Sequence, residues 1–158
     1  MTAQDAAPTQ LSTIVINGAA DGATNRYQPV ETSTATRTNT PLLDIPQAVN
    51  VVSQEVLQDQ HATSLDEALA NISGISQANT LGGTQDSIIR RGFGDNRDGS
   101  ILINGMKTAL NRSFNATTDR VEVLKGPSST LYGILDPGGM INVVTKKPEN
   151  TFSADIYS

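Results

Sequence analysis

The sequence predicts an α+β domain, a small mixed β-sheet with short helices and long loops, and three observations predict it. Short β-branched apolar runs recur through the chain, each stopped by glycine, proline or Asn-Gly, the pattern of brief strands joined by turns. Leu65, Ala68, Leu69 and Ile72 fall at i, i+3, i+4 and i+7, one face of a short helix that has to pack on something. There is no internal repeat, so these strands and helices are expected to share one core.

Residues 1–40 are rich in Ala, Thr, Asn, Gln, Asp and Gly. Such a composition buries too little surface to offset chain entropy, and a mobile tail is expected there. One island, Leu11-Ser12-Thr13-Ile14-Val15-Ile16-Asn17-Gly18, favours extended backbone until Asn-Gly stops it. Order is expected from Pro41, where Leu42, Leu43, Ile45 and Ala48 to Val52 supply the first apolar density. Val49 to Ser53 reads as a strand. Ser53 is placed to cap a helix to about Gln60, and Ser64 to open a second with Glu67 three residues on, the arrangement in which each side chain takes a backbone amide of the other residue. Gly74 ends that helix. Ser76 to Asp86 is polar with a Gly82-Gly83 pair, Ser87 to Phe93 reads as a strand, and Ile101 to Ile103 as another, stopped by the tight-turn signal Asn104-Gly105. Polar loops, Gly94 to Gly99 and Lys107 to Thr118, follow these two strands. Val121 to Leu124 is a strand that meets Lys125-Gly126-Pro127, a Ser-rich helical turn closes at Gly133, and Pro137-Gly138-Gly139 reverses the chain into Met140 to Thr145. A last strand, Phe152 to Tyr157, is expected beyond Pro148.

The 158 residues suffice for one domain. Aromatic residues make up 4% and Trp is absent, so the core rests on Val, Ile, Leu and Ala and is expected to be modestly stable. The net charge of −5 is uneven: nine acidic and two basic side chains precede Arg90, against seven acidic and nine basic from Arg90 onward. The second half is where an anion could be held, although a solvated surface is the ordinary cause of such asymmetry. No dense basic stripe interleaved with aromatics is present, which argues against nucleic acid. Without cysteine, thiol catalysis, disulfides and Cys-based metal sites are excluded. The N-terminus lacks the basic and apolar regions of a secretory signal, which fits a mature or recombinant chain, and no run approaches the about 18 apolar residues of a membrane helix. His61 is the sole histidine and has no companion donors for zinc or haem. Asp95 to Gly99 lacks the spacing of about 12 residues and the closing Glu of a calcium loop. GPSST lacks the Gly-Lys-Ser/Thr of a phosphate loop. No nucleophile, base and orienting group stand together in pattern, so an enzyme is not expected.

Four motifs occur in order: IIRRGF ending at Phe93, ILINGM ending at Met106, DRVEVLKGP ending at Pro127, and Pro137-Gly138-Gly139 continuing through Met140 to Pro148. Together they resemble the plug domain of TonB-dependent outer-membrane receptors, especially those for ferric siderophores. The resemblance covers residues 41–148, with 1–40 as a periplasmic tail and 149–158 as the start of the first barrel strand. It implies a cork within an outer-membrane barrel of about 22 strands that this chain does not itself contain.

The resemblance also implies partners and roles. Leu11, Ser12, Thr13, Ile14, Val15 and Ile16, with Asn17 and Gly18, look like a TonB box, which would add a strand to the TonB C-terminal domain. Arg91 and Lys125 would face carboxylates on the inner barrel wall and latch the plug, with Lys125 standing where Arg is common and bonding in a less bidentate way. Asn79, Asn96, Arg97, Asn111, Arg112, Ser113 and Phe114 lie on loops corresponding to the apices that touch a ferric siderophore. There the arginines would attract an anionic complex, the polar side chains hydrogen-bond it and Phe114 offer an aromatic face. Iron(III) would arrive already wrapped in its chelator, with no cofactor bound directly. A periplasmic interaction or signalling module of the same fold remains the alternative, and the sequence leaves cobalamin or another nutrient open as cargo.

Overall fold

The computed structural model describes residues 27, 29, 31–94, 99–107 and 112–148. In chain order its strands are β1 (Glu31–Thr32), β2 (Thr40–Pro41), β3 (Ala48–Val52), β4 (Ile75–Gln77), β5 (Ile88–Arg90), β6 (Ile101–Ile103), β7 (Met106–Lys107), β8 (Thr118–Lys125) and β9 (Gly139–Thr145). The helices are α1 (Gln54–Asp59), α2 (Leu65–Leu69) and α3 (Ser129–Tyr132). A five-stranded sheet runs β3-β8-β9-β6-β7, flanked by the pairs β1-β2 and β4-β5. Only β6 and β9 pair in parallel within the larger sheet, which makes it mixed, as the sequence predicts.

β8 and β9 are the longest strands and sit at the centre because both of their faces are covered. Val121 and Val123 pair with Val143 and Ile141 in register, and with Leu57, Leu65, Ala68, Leu69, Ile72, Ile88 and Ile101 they form the main core. The helical face expected at Leu65, Ala68, Leu69 and Ile72 is therefore buried as a unit. On the opposite face Leu124 pairs with Met140 and packs with Ala35, Ile45 and Leu102. A buried Leu or Val contributes about 1.5–3 kcal/mol, so a core of this make-up can stand without large aromatic rings.

The helix starts differ from expectation. Ser53 and Ser64 occupy the N-cap positions with extended backbone, yet neither side chain caps an amide. The buried Ser53 hydroxyl has no hydrogen-bond partner. Ser64 does not close its half of the reciprocal box, and Glu67 accepts chiefly from one residue further back, its Oε2 taking the Thr63 amide at 2.7 Å and the Thr63 hydroxyl at 2.9 Å, with smaller contributions from Ser64. Those donors favour the charged carboxylate and hold Glu67 below the usual glutamate range.

Composition alone assigned residues 31–40 to the tail. In the structure β1 pairs with β2, and Thr32, Thr34 and Ala35 are buried. The island Leu11 to Gly18 and the strand expected at Phe152 to Tyr157 lie outside the described residues.

Pro137-Gly138-Gly139 makes the turn into β9, and its glycines are required by close backbone approach. A Cβ on Gly138 would stand closer than 3.0 Å to the carbonyl oxygen of Arg90, and one on Gly139 would strike the carbonyl oxygen of Leu124. Gly139 also has φ +115°. Gly83, at φ +81° with nothing within 4 Å of its Cβ position, has the backbone penalty without the clash. Gly83→Ala is expected to cost about 1–2 kcal/mol and Gly139→Ala clearly more. Denaturant midpoints of the two variants check this, and equal midpoints would remove the close-approach argument.

Candidate functional site

The strand expected from Ser87 to Phe93 ends at Arg90. Arg90 N donates to Phe93 O and Phe93 N to Arg90 O, both at 2.9 Å, closing a two-residue turn with Arg91 at φ +52° and Gly92 at φ +84°. Positive φ at both central residues is the primed turn that matches strand twist. The reversal separates the two arginines: Arg90 is buried at 1% exposure, whereas Arg91 is exposed. Arg90 Nη1 donates to Ile88 O at 3.1 Å. Its Nη2 and the Oδ2 of Asp136 both lie closer than 3.0 Å to where a Cβ on Gly94 would stand, so Gly94 leaves room for both charged groups. Arg90 was not singled out in the sequence, because a buried arginine beside an exposed one reads as the same dipeptide.

The structure brings the two expected latch cations to the same end. Arg91 N donates to Gly74 O at 2.6 Å, and Arg91 Nη1 is 3.9 Å from where a Cβ on Gly126 would be. Lys125 is half-buried and its Nζ donates to Ser73 Oγ at 3.0 Å. Both cations thus flank the Ser73-Gly74 turn, and neither forms an ion pair with a described residue. β8 carries Lys125 at this end and Thr118 at the other, about 23 Å away for eight residues of strand.

The opposite end gathers two of the loops expected to be apices. Arg112 Nη1 donates to Gly83 O at 3.0 Å, and the amide and hydroxyl of Ser113 both donate to Asp86 Oδ2 at 2.6 Å. Ser113 is buried at 2%, so its donors tie one loop to the other and do not face solvent. Asn79 is exposed, but its Oδ1 accepts from the Leu81 amide at 2.9 Å within its own turn. Phe114 is half-buried against the main core, and Arg112 remains exposed. Asn96, Arg97 and Asn111 lie outside the described residues, as do Leu11, Ser12, Thr13, Ile14, Val15 and Ile16.

A third cluster was missed. Glu122, at 0% exposure in the middle of β8, accepts from Thr32 Oγ1 and from Arg120 Nε, the latter at 2.6 Å. Arg120 Nη1 also reaches Asp119 Oδ2 at 2.8 Å. Burial opposes the charge on Arg120, but Glu122 and Asp119 outweigh it and raise its pKa above the ordinary value. Asn142, the register partner of Glu122, donates to Thr34 Oγ1 at 2.8 Å and accepts from Gly105 N at 2.8 Å, while Tyr132 OH donates to Thr34 O at 2.6 Å. These bonds fasten the segment after β1 to the centre of the sheet. The available signal was Glu122 and Asn142 interrupting otherwise apolar strands.

The description "TonB-dependent Receptor Plug Domain" belongs to the family model that matches residues 41–140. The chain is 40% identical over 151 residues to the metal-pseudopaline receptor CntO of Pseudomonas aeruginosa, covering 93% of this chain and 21% of that protein. It is 33% identical to the ferrichrome outer membrane transporter/phage receptor of Escherichia coli, covering 92% and 21%. Among solved structures, the open form of the ferric-catecholate import receptor Fiu from E. coli superposes with a TM-score of 0.68 at 34% identity, covering 80% of this chain and 18% of that one. The P. aeruginosa ferripyoverdine receptor bound to ferripyoverdine gives 0.67 at 26% identity, covering 81% and 18%. The chain spans about a fifth of the length of these relatives. With the sheet order, the paired turn motifs and the match over residues 41–140 in agreement, the chain belongs to the TonB-dependent receptor plug domain family.

Proposed function

We propose that the chain is the plug of an outer-membrane receptor for ferric siderophores, closing the barrel from within, contributing ligand contacts at one end and coupling to TonB through its tail. The observation that carries this reading is the pair Arg91, on the turn after β5, and Lys125, at the end of β8, set together at one end with no acidic partner among the described residues. In this chain Arg91 is exposed and Lys125 half-buried; enclosed by a barrel, two neighbouring cations without partners would be costly, so the reading calls for acids on the barrel's inner wall. The names of the relatives support a metal chelate as cargo, since they describe receptors for metal-pseudopaline and ferrichrome. Iron(III) enters as the siderophore complex, and the chain supplies no ligand to the metal.

Asn79, Arg112 and Phe114 at the opposite end are the proposed ligand contacts, and Asn96, Arg97 and Asn111, which lie outside the described residues, are proposed with them. Ser113 acts there by holding Arg112 and Phe114 in place through Asp86. Residues 11–16 pair with TonB by strand addition, in which main-chain hydrogen bonds supply the affinity.

Two measurements test the reading. The chain added in trans to its receptor's barrel lacking the plug is expected to bind it. Arg91→Glu with Lys125→Glu is expected to weaken that binding at least about a hundredfold, because breaking a buried ion pair costs about 3–5 kcal/mol; unchanged binding would refute the latch. Separately, deletion of residues 11–16 is expected to abolish binding of the TonB C-terminal domain, and retained binding would refute the tail assignment.

A further inference from the structure

We propose that the groove between the segment after β1 and the end of β9 binds a phosphate group, carried by a soluble phosphate ester or by a phospholipid headgroup. This goes beyond the plug reading and does not rest on it. The cavity measures about 620 Å³, and Arg37, Arg120, Lys146 and Lys147 line it together with neutral side chains that include Asn104 and Tyr132. Among the described residues that line it, none is acidic. In a chain of net charge −5, four cations around one opening run against the overall balance. Arg120 is committed to Glu122 and Asp119, but Arg37, Lys146 and Lys147 form no ion pair with any described residue.

The walls are organised before any ligand arrives. Arg37 Nη2 donates to Leu131 O at 2.5 Å, and the guanidinium carbon lies 4.8 Å from the centre of the Tyr132 ring. One of its five N–H donors is thereby used and the planar group is held in place, which leaves the others for an acceptor in the groove. Across the opening, Asn104 Nδ2 donates to Thr145 Oγ1 at 2.8 Å and Thr145 N donates to Asn104 Oδ1 at 3.0 Å. Lys146 N donates to Thr117 O at 2.8 Å, so Lys146 leaves the sheet from fixed backbone, with Lys147 following it. Cations from two separate walls suit a tetrahedral, doubly charged group with several acceptor oxygens better than a planar monocarboxylate, which addresses one wall. The volume exceeds that of one phosphate and leaves room for what carries it. A ligand that bridges Arg37 and the lysines would tie the segment after β1 to the central sheet.

The test is titration of the ¹⁵N-labelled 158-residue chain with pyrophosphate at about 50 mM salt, where surface electrostatics are still effective. Saturable shifts are expected at Arg37, Asn104, Lys146 and Lys147, with Arg91 and Lys125 unmoved. Arg37→Gln and Lys147→Gln are each expected to weaken the affinity roughly tenfold, the loss of one charge-assisted contact. If Arg37→Gln loosens its segment, Lys147→Gln carries the test, since the Lys147 side chain forms no ion pair with a described residue. In parallel, flotation with phosphatidic acid vesicles and with phosphatidylcholine vesicles separates the sources. Binding to pyrophosphate supports a soluble ester, and binding only to phosphatidic acid supports a headgroup. Binding to neither overturns the proposal, as do shifts spread equally over Arg91 and Lys125 or affinity unchanged in both variants.

Discussion

Much of the structure depends on one constraint, the close backbone approach at Gly138 and Gly139. Three segments distant in sequence meet there: the turn after β5, the end of β8 and the start of β9. Any side chain on Gly138 would strike the Arg90 carbonyl, and any on Gly139 the Leu124 carbonyl. Because these contacts are with backbone, no rotamer change relieves them, and only glycine fits. The contact sets the distance between the turn bearing Arg91 and the strand bearing Lys125, so the charge arrangement at that end is a consequence of backbone packing.

A second constraint works at the other side of the sheet. Glu122 and Asn142 are polar residues in the two most buried strands, where an unpartnered carboxylate would cost several kcal/mol. They are accommodated because the segment after β1 brings Thr32 and Thr34 to them and Arg120 neutralises the acid. The domain therefore needs residues upstream of the family match at 41 to complete its core, with Thr32, Thr34 and Ala35 buried against the centre of the sheet. Force applied from upstream would meet the bond from Tyr27 OH to Asp59 Oδ2, 2.9 Å, before it reached these hydrogen bonds, which connect directly to β8 and β9.

What the sequence made legible was local. The helical face at Leu65 to Ile72, the Asn104-Gly105 turn, the Pro-Gly-Gly reversal and the central strands each carry their signal within a few residues, and each formed. What it hid depends on distant partners. Arg91-Gly92 continues a β-like pattern from Ile88 to Phe93, and nothing local says that Arg91 takes positive φ; the turn is set by Gly74 and Gly138 packing around it. Ser113 looked like a loop hydroxyl facing solvent, because Asp86, which takes both its donors, is 27 residues away. Residues 31–40 looked like tail because threonines do not announce burial, and theirs arises from Glu122, Asn142 and Tyr132 roughly 90 or more residues downstream. The cap at Ser64 failed for a milder reason: Thr63 offers Glu67 two donors at once, and these outweigh what Ser64 supplies.

The claim at the centre of this account is that the chain assembles its own cationic end, with the Arg90–Phe93 turn held by the glycine pair before any barrel is present. Amide hydrogen exchange at Arg90 and Phe93, compared between the native chain and Gly138→Ala, tests it most directly. The account predicts that both amides are protected in the native chain and that the variant loses this protection while Val121 and Val123 in β8 keep theirs. Protection at Arg90 and Phe93 that survives the substitution, or that is absent from the native chain, would contradict it.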